Sequence, residues 1–289
     1  MIDPLINYNS ASYQRYKWYD LLEFAKILNE TYNKNQNDII NYLNNTKYFT
    51  TQITDVFFYE APDTKADFMS FINNDILYLC FIGSDDIIDW FYDFQLWQIK
   101  IKLPLMPTCV EQKYCKIHNG IYKQYQSIQS NILDVYYQSI RLSLKPKIII
   151  FSHSLGILGE LAGIDLKNIN PNIEIDNISF GAPRIGDKYF VDVCNKVFTT
   201  NLRIVNDDDI IPSFQFLQYK HSGKVIILEE NNKICYKDRN IWNDLKNVIL
   251  AFFYWIPFFK ITVLQDHHLD NYIKIIAKMQ DCAGSSVSN

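Results

Sequence analysis

Apolar residues recur along the chain at two different spacings. Between Tyr19 and Asn45 they fall at helix-like intervals, with Leu21, Leu22, Phe24, Ala25, Ile27 and Leu28 followed by Ile39, Ile40 and Leu43. This pattern predicts two helices before any sheet begins. Further on, apolar residues gather into short continuous runs: Val56–Tyr59, Ile76–Ile82, Ile148–Phe151, Ile175–Phe180, Leu202–Val205 and Val225–Leu228, each closed by Gly, Ser, Asn or Asp. Helix-like stretches, notably Gly120–Leu144 and Leu155–Leu166, separate several of these runs. Strands buried on both faces read as continuous apolar runs, so the alternation predicts an α/β fold with a mostly parallel central sheet and helices on both faces. In such a sheet the active site is expected at the carboxyl ends of the strands.

Composition narrows the picture. A chain of 289 residues that is 48% hydrophobic can bury a sizeable core, and one domain over 1–289 is expected, with 1–55 as its helical beginning. Lys plus Arg number 28 against 32 Asp plus Glu, a formal charge of -4 with no basic stripe, which argues against nucleic acid as a partner. The opening residues MIDPLINYNSASYQRYKWYD carry neither the charged start nor the apolar run of a signal peptide, so an intracellular, cytoplasmic setting is expected. Cys80, Cys109, Cys115, Cys194, Cys235 and Cys282 are scattered, without the paired spacing or His partners that zinc requires. Free thiols and the absence of a metal site are the expectation. The longest apolar stretch, Val248–Phe259, is too short for a membrane span and is interrupted by Pro257.

The strongest chemical signal follows the run Ile148–Phe151, which leads directly into Ser152-His153-Ser154-Leu155-Gly156 and then into the helical pattern of Leu158, Leu161 and Ala162. Strand, sharp turn and helix form the context of a nucleophile elbow, where small residues flank a serine whose backbone is strained. Ser154 would stand at the tip, with the Leu155 amide directed at a developing oxyanion. Ser152 replaces the first glycine of Gly-x-Ser-x-Gly, and these five residues alone also fit an ordinary strand-to-helix turn.

Five further blocks accompany this one. They are Cys80-Phe81-Ile82-Gly83-Ser84 with Asp89, Trp90 and Asp93; His118-Asn119-Gly120; Ser179-Phe180-Gly181-Ala182-Pro183-Arg184-Ile185-Gly186; Arg203-Ile204-Val205-Asn206 through Asp209 to Pro212; and Asp266-His267-His268-Leu269 through Tyr272. In this order and spacing the chain resembles the class 3 lipases, the fungal-type triacylglycerol lipase family of α/β-hydrolases, over roughly residues 76–272. The resemblance implies Ser154 as nucleophile, Ser84 as second oxyanion donor beside Leu155, and Asp209, three residues before Pro212, as the orienting acid. It implies a base in the final block: His267 fits the His-x-Leu-Asp-Asn-Tyr form, and His268 is the alternative in a shorter His-Leu form. The chain order Ser154, Asp209, His267 is that of α/β-hydrolases. His118, His153 and His221 read as hydrogen-bonded structural histidines. Two positions depart from the family pattern: Ile82 stands where an Arg is usual, and Ile157 replaces the second glycine after the elbow.

The resemblance further implies cleavage of lipid esters through an acyl-enzyme, without a cofactor. It also implies a lid over 85–100, where Ile87, Ile88, Trp90, Phe91, Tyr92 and Phe94 carry more apolar surface than an exposed loop should. With the apolar insertion over 236–262, this segment makes transient contact with a membrane or lipid-droplet surface an expectation, with Trp90 and Trp255 as interfacial residues. A catalytically silent hydrolase fold serving protein interaction, or a thioesterase or peptidase on the same fold, are the alternative readings.

Overall fold

In the computed structural model of the chain, the described residues are 15–83, 98–103, 114–142, 147–213, 219–229, 233–238 and 265–285. Helices α1 (Trp18–Tyr32) and α2 (Gln36–Asn45) come first, as the apolar spacing predicts. The Asn35 side chain opens α2 by accepting the Asn37 and Asp38 amides, two of the donors that a helix start leaves unpaired. Strands β1 (Phe57–Glu60), β2 (Asp67–Asn73) and β3 (Ile76–Phe81) follow as an antiparallel meander. Strands β4 (Gln98–Ile101) and β5 (Cys115–His118) pair with each other in a separate sheet, and α3 (Asn119–Leu142) leaves β5 directly. Next come β6 (Lys147–His153), a 3₁₀ turn over Ser154–Leu158, α4 (Gly159–Ile169), β7 (Glu174–Phe180) and α5 (Lys188–Val197). The remaining elements are β8 (Thr200–Asn206), β9 (Lys224–Glu229), β10 (Lys233–Cys235) and α6 (Leu269–Ser285).

The main sheet has the order β1-β2-β3-β6-β7-β8-β9-β10. Neighbours from β3 to β9 are parallel, and the antiparallel pairs lie towards the two edges. Because successive side chains of a strand point to opposite faces, β6 feeds two cores. Ile148 and Ile150 join Tyr125 of α3, Leu161 of α4 and Val193 of α5 on one face. Ile149 and Phe151 join Phe24 of α1 and Tyr272 and Ile276 of α6 on the other, where Phe24 stacks on Phe151 at 4.9 Å. Each such side chain contributes about 1.5–3 kcal/mol when fully buried, so the sheet is clamped from both sides. At the opposite end of the strands from the elbow, Arg15, Tyr16 and Lys147 all engage the buried Asp176. This ties the start of α1 to the amino ends of β6 and β7.

The sequence runs lack β2, because Asp67, Ser70 and Asn73 interrupt its apolar pattern. All three polar residues are nonetheless buried. Lys34 pairs with Asp67 at 3.0 Å, and the Asn73 amide donates to the Thr51 carbonyl at 2.9 Å, which offsets the cost of burying Asp67 and Asn73. Strands β4, β5 and β10, of three or four residues each, are also absent from the runs. The helix expected from Leu155 begins as α4 at Gly159, since the tight turn after the elbow comes first.

Of the expected lid, 85–97 lies outside the described residues and Gln98–Lys100 belong to β4. Of the apolar insertion, 236–238 are described and 239–262, including Trp255, lie outside. Ser84, Trp90 and Cys109 also lie outside. Cys80, Cys115, Cys194, Cys235 and Cys282 are free thiols. Among the described residues no helix is long and apolar enough to cross a membrane.

Candidate active site

Ser154 follows the last residue of β6 with φ at +57°, in the left-handed region. For a residue other than glycine this conformation costs about 1–3 kcal/mol and persists only where the surroundings enforce it. Here Gly156 provides the enforcement. A Cβ on Gly156 would lie 2.3 Å from the Phe81 carbonyl oxygen, so the turn can press against the end of β3 only with glycine at that position. Ser152, in place of the usual first glycine, is buried between Phe81 of β3 and Ser179 of β7, its register partners. Ile82 and Ile157, the two departures from the family pattern, are both buried, Ile82 in the core beside α1 and Ile157 in the core beside α4. Ser154 is fully buried, and its Oγ has no hydrogen-bond partner among the described residues.

The loop after β8 carries Asp207, Asp208 and Asp209, of which the first two are exposed and Asp209 is fully buried. Its carboxylate is surrounded by donors. Oδ1 accepts the Ile211 amide at 2.9 Å, while Oδ2 accepts the Tyr272 hydroxyl at 2.6 Å and His267 Nδ1 at 2.8 Å. The Tyr272 oxygen in turn accepts the Asn206 amide at 3.1 Å. With Nδ1–H donated to Asp209, His267 Nε2 is left as the acceptor, buried and with no hydrogen-bond partner among the described residues. A buried polar atom left unbonded costs about 1–3 kcal/mol, and here two such atoms belong to the serine and histidine that the sequence singles out.

The adjacent histidine is placed differently. His268 is exposed, and its backbone amide donates to the Gln265 carbonyl at 3.1 Å in the turn preceding α6. The structure therefore brings His267, and not His268, to Asp209. Asp266 is raised above the usual carboxylate range by burial and by the charges of Asp208 and Asp209.

Three residues near the pair carry no signal in the sequence reading beyond, at most, membership of a block. Gly181, at the end of β7, has φ at +59°, and a Cβ there would sit 2.7 Å from Asp209 Oδ2 and 3.0 Å from His267 Nδ1. Any side chain would push the acid and the imidazole apart. Tyr272 holds the acid from α6. Tyr32, at the end of α1, reaches His153 and lies in none of the blocks. The remaining histidines bond to backbone: His118 Nδ1 accepts the Ile121 amide at 3.2 Å at the start of α3, and His221 Nε2 donates to the Pro212 carbonyl at 3.0 Å. Burial pushes His118 down to about 4, which keeps that acceptor unprotonated at neutral pH. Arg184 donates to the same Pro212 carbonyl at 3.0 Å, so two side chains secure the loop that carries Asp209.

The family described as lipase (class 3) matches residues 78–219 of the chain. Among curated proteins, a lipase of Rhizomucor miehei is 26% identical over 192 residues, 61% of this chain and 49% of its own length. Phospholipase A1-IIalpha of Arabidopsis thaliana is 31% identical over 144 residues, 46% of this chain and 29% of its own. The chain thus spans about half the length, or less, of these curated relatives. Among solved structures, the Rhizomucor miehei triacylglyceride lipase superposes with a TM-score of 0.60 at 18% identity, covering 80% of this chain and 94% of that one. At that identity the likeness establishes the α/β-hydrolase fold.

Proposed function

We propose, from the match of residues 78–219 to the class 3 lipase family, that the chain is a carboxylic ester hydrolase of that family acting on lipid esters, with Ser154 as nucleophile, His267 as base and Asp209 as orienting acid. The observation that carries this reading is the Asp209–His267 hydrogen bond of 2.8 Å, together with a left-handed serine at the end of β6 whose Oγ, like His267 Nε2, is buried and without a partner among the described residues.

In the proposed reaction His267 Nε2 takes the Ser154 proton as Oγ attacks the ester carbonyl. Asp209, held by Tyr272 and the Ile211 amide, keeps the imidazole in the tautomer that can accept this proton and then stabilises the imidazolium. The Leu155 amide and Ser84 supply the oxyanion donors, the latter as an expectation from the family motif. His267 returns the proton to the leaving alcohol, and water then releases the acid from the acyl-enzyme by the same route in reverse. None of these steps calls for a metal or organic cofactor.

The matched lipase and the matched phospholipase A1 support a lipid ester and leave the head group open. The test is a hydrolysis panel of triglyceride, monoglyceride, phospholipid and thioester substrates, run below and above the aggregation threshold of each lipid, with Ser154→Ala beside the wild type. Turnover of at least one lipid ester by the wild type and its loss in Ser154→Ala is the expected result. A steeper rate on aggregated substrate would support docking to lipid surfaces through the apolar segments at 85–100 and 248–259. Turnover confined to thioesters or peptides would replace the substrate class, and inactivity towards the whole panel would favour the silent interaction scaffold.

A further inference from the structure

Tyr32 and His153 lie 121 positions apart, yet the Tyr32 hydroxyl sits 2.7 Å from His153 Nδ1. The same hydroxyl oxygen accepts the Gly83 amide at 3.1 Å. On the other side of the imidazole, His153 Nε2 lies 2.8 Å from the carbonyl oxygen of His267. A carbonyl can only accept, so Nε2 carries the proton. The neutral ring then offers Nδ1 as an acceptor only, and the Tyr32 O–H must donate to it. Every proton in the series thus has a fixed direction: Gly83 to Tyr32, Tyr32 to His153, and His153 to the backbone of His267. Burial, and next the facing His267, hold His153 well below the usual histidine range, so the ring keeps the single proton that this direction requires.

We infer that Tyr32 and His153 are positioning residues, which hold the backbone of His267 in register with the end of β3, where the oxyanion segment begins. The inference rests on the proposed role of His267 as base. Asp209 fixes the imidazole through Nδ1, but the reach of Nε2 to the serine also depends on where the backbone of residue 267 sits. A misplacement of about 1 Å in such a constellation can cost about 10²-fold in rate. Packing alone is the competing explanation, because the His153 ring stacks on the His267 ring at 4.7 Å and meets Tyr32 edge-on at 5.8 Å. Tyr32→Phe separates the two, since it keeps the ring and removes only the hydroxyl that links Gly83 to His153.

The experiment uses the full chain and a soluble short-chain ester, comparing wild type, Tyr32→Phe, His153→Gln, His153→Leu and Ser154→Ala. Active sites are titrated to completion with a serine-directed phosphonate, so that misfolded protein does not count. Tyr32→Phe is expected to lower kcat per titrated site about tenfold or more while KM stays within about twofold. His153→Gln, whose amide can still donate to the His267 carbonyl, is expected to retain more kcat than His153→Leu. Unchanged kcat per site in Tyr32→Phe, or equal values for the two His153 variants, would overturn the inference and leave the triad intact. A wild type that turns over no faster than Ser154→Ala would instead overturn the functional reading on which the inference depends.

Discussion

Ser154 Oγ and His267 Nε2 are buried and without a hydrogen-bond partner among the described residues, while the groups that hold His267 are bonded on several sides. Asp209 accepts three donors, Tyr272 both donates and accepts, and His153 uses both ring nitrogens. On the proposed reading Ser154 Oγ and His267 Nε2 are the two atoms between which the proton moves. The choice between adjacent histidines has a direct consequence. His267→Ala is expected to lower kcat nearly as far as Ser154→Ala, with no further loss when the two are combined, because members of a triad act as one unit. His268→Ala should change kcat little, and steady-state rates on a soluble ester check both. The reverse order would move the base by one residue. Strand, turn and helix made Ser154 a candidate that gained its weight from the accompanying blocks, whereas Asp209 and His267 came from the family resemblance. Tyr32, Gly181 and Tyr272 were not legible in these roles. Their partners lie far away in the chain, and hydrogen bonds over such separations leave no local pattern.

Among the elements, α4 carries the least expected chemistry. Glu160 lies in its first turn, six positions after Ser154 and only 3% exposed. It accepts hydrogen bonds from the Ser222 hydroxyl and, at 3.7 Å, from the Cys194 thiol. Burial pushes its carboxyl up to about 7, outweighing these donors and the charge of Arg203. The folded state therefore holds this proton more tightly than the unfolded chain, where the ordinary value is 4.5. The stability gained is fully present below that unfolded value and is lost as pH rises through about 7. Denaturant unfolding of the wild type relative to Glu160→Gln should thus show a stability difference that declines by about 3 kcal/mol over this window. A difference independent of pH would contradict it. The central parallel strands were legible because burial on both faces makes them continuously apolar. Strand β2 was not, since Asp67, Ser70 and Asn73 break its apolar pattern, and the partners that satisfy the buried Asp67 and Asn73 leave no mark in a sequence pattern.

At the scale of the whole molecule, the parallel sheet does the assembling. The Ser154 turn leaves the carboxyl end of β6, Gly181 follows β7, and Asp209 lies in the loop after β8, so three neighbouring strands deliver their ends to one place. Helix α6 then closes the site from the face shared with α1, placing Tyr272 against Asp209 and His267 just ahead of its first turn. Alternating runs announced this layout, and they could not announce the close backbone approach between Gly156 and the end of β3 that holds the serine in its strained conformation. The central claim is that this arrangement makes Ser154 the nucleophile of a serine hydrolase. The most direct measurement is reaction of the intact protein with a serine-directed phosphonate, followed by mass spectrometry of its peptides. The account predicts one label per chain, carried on Ser154 and absent from Ser154→Ala; a label on another residue, or equal labelling of both proteins, would contradict it.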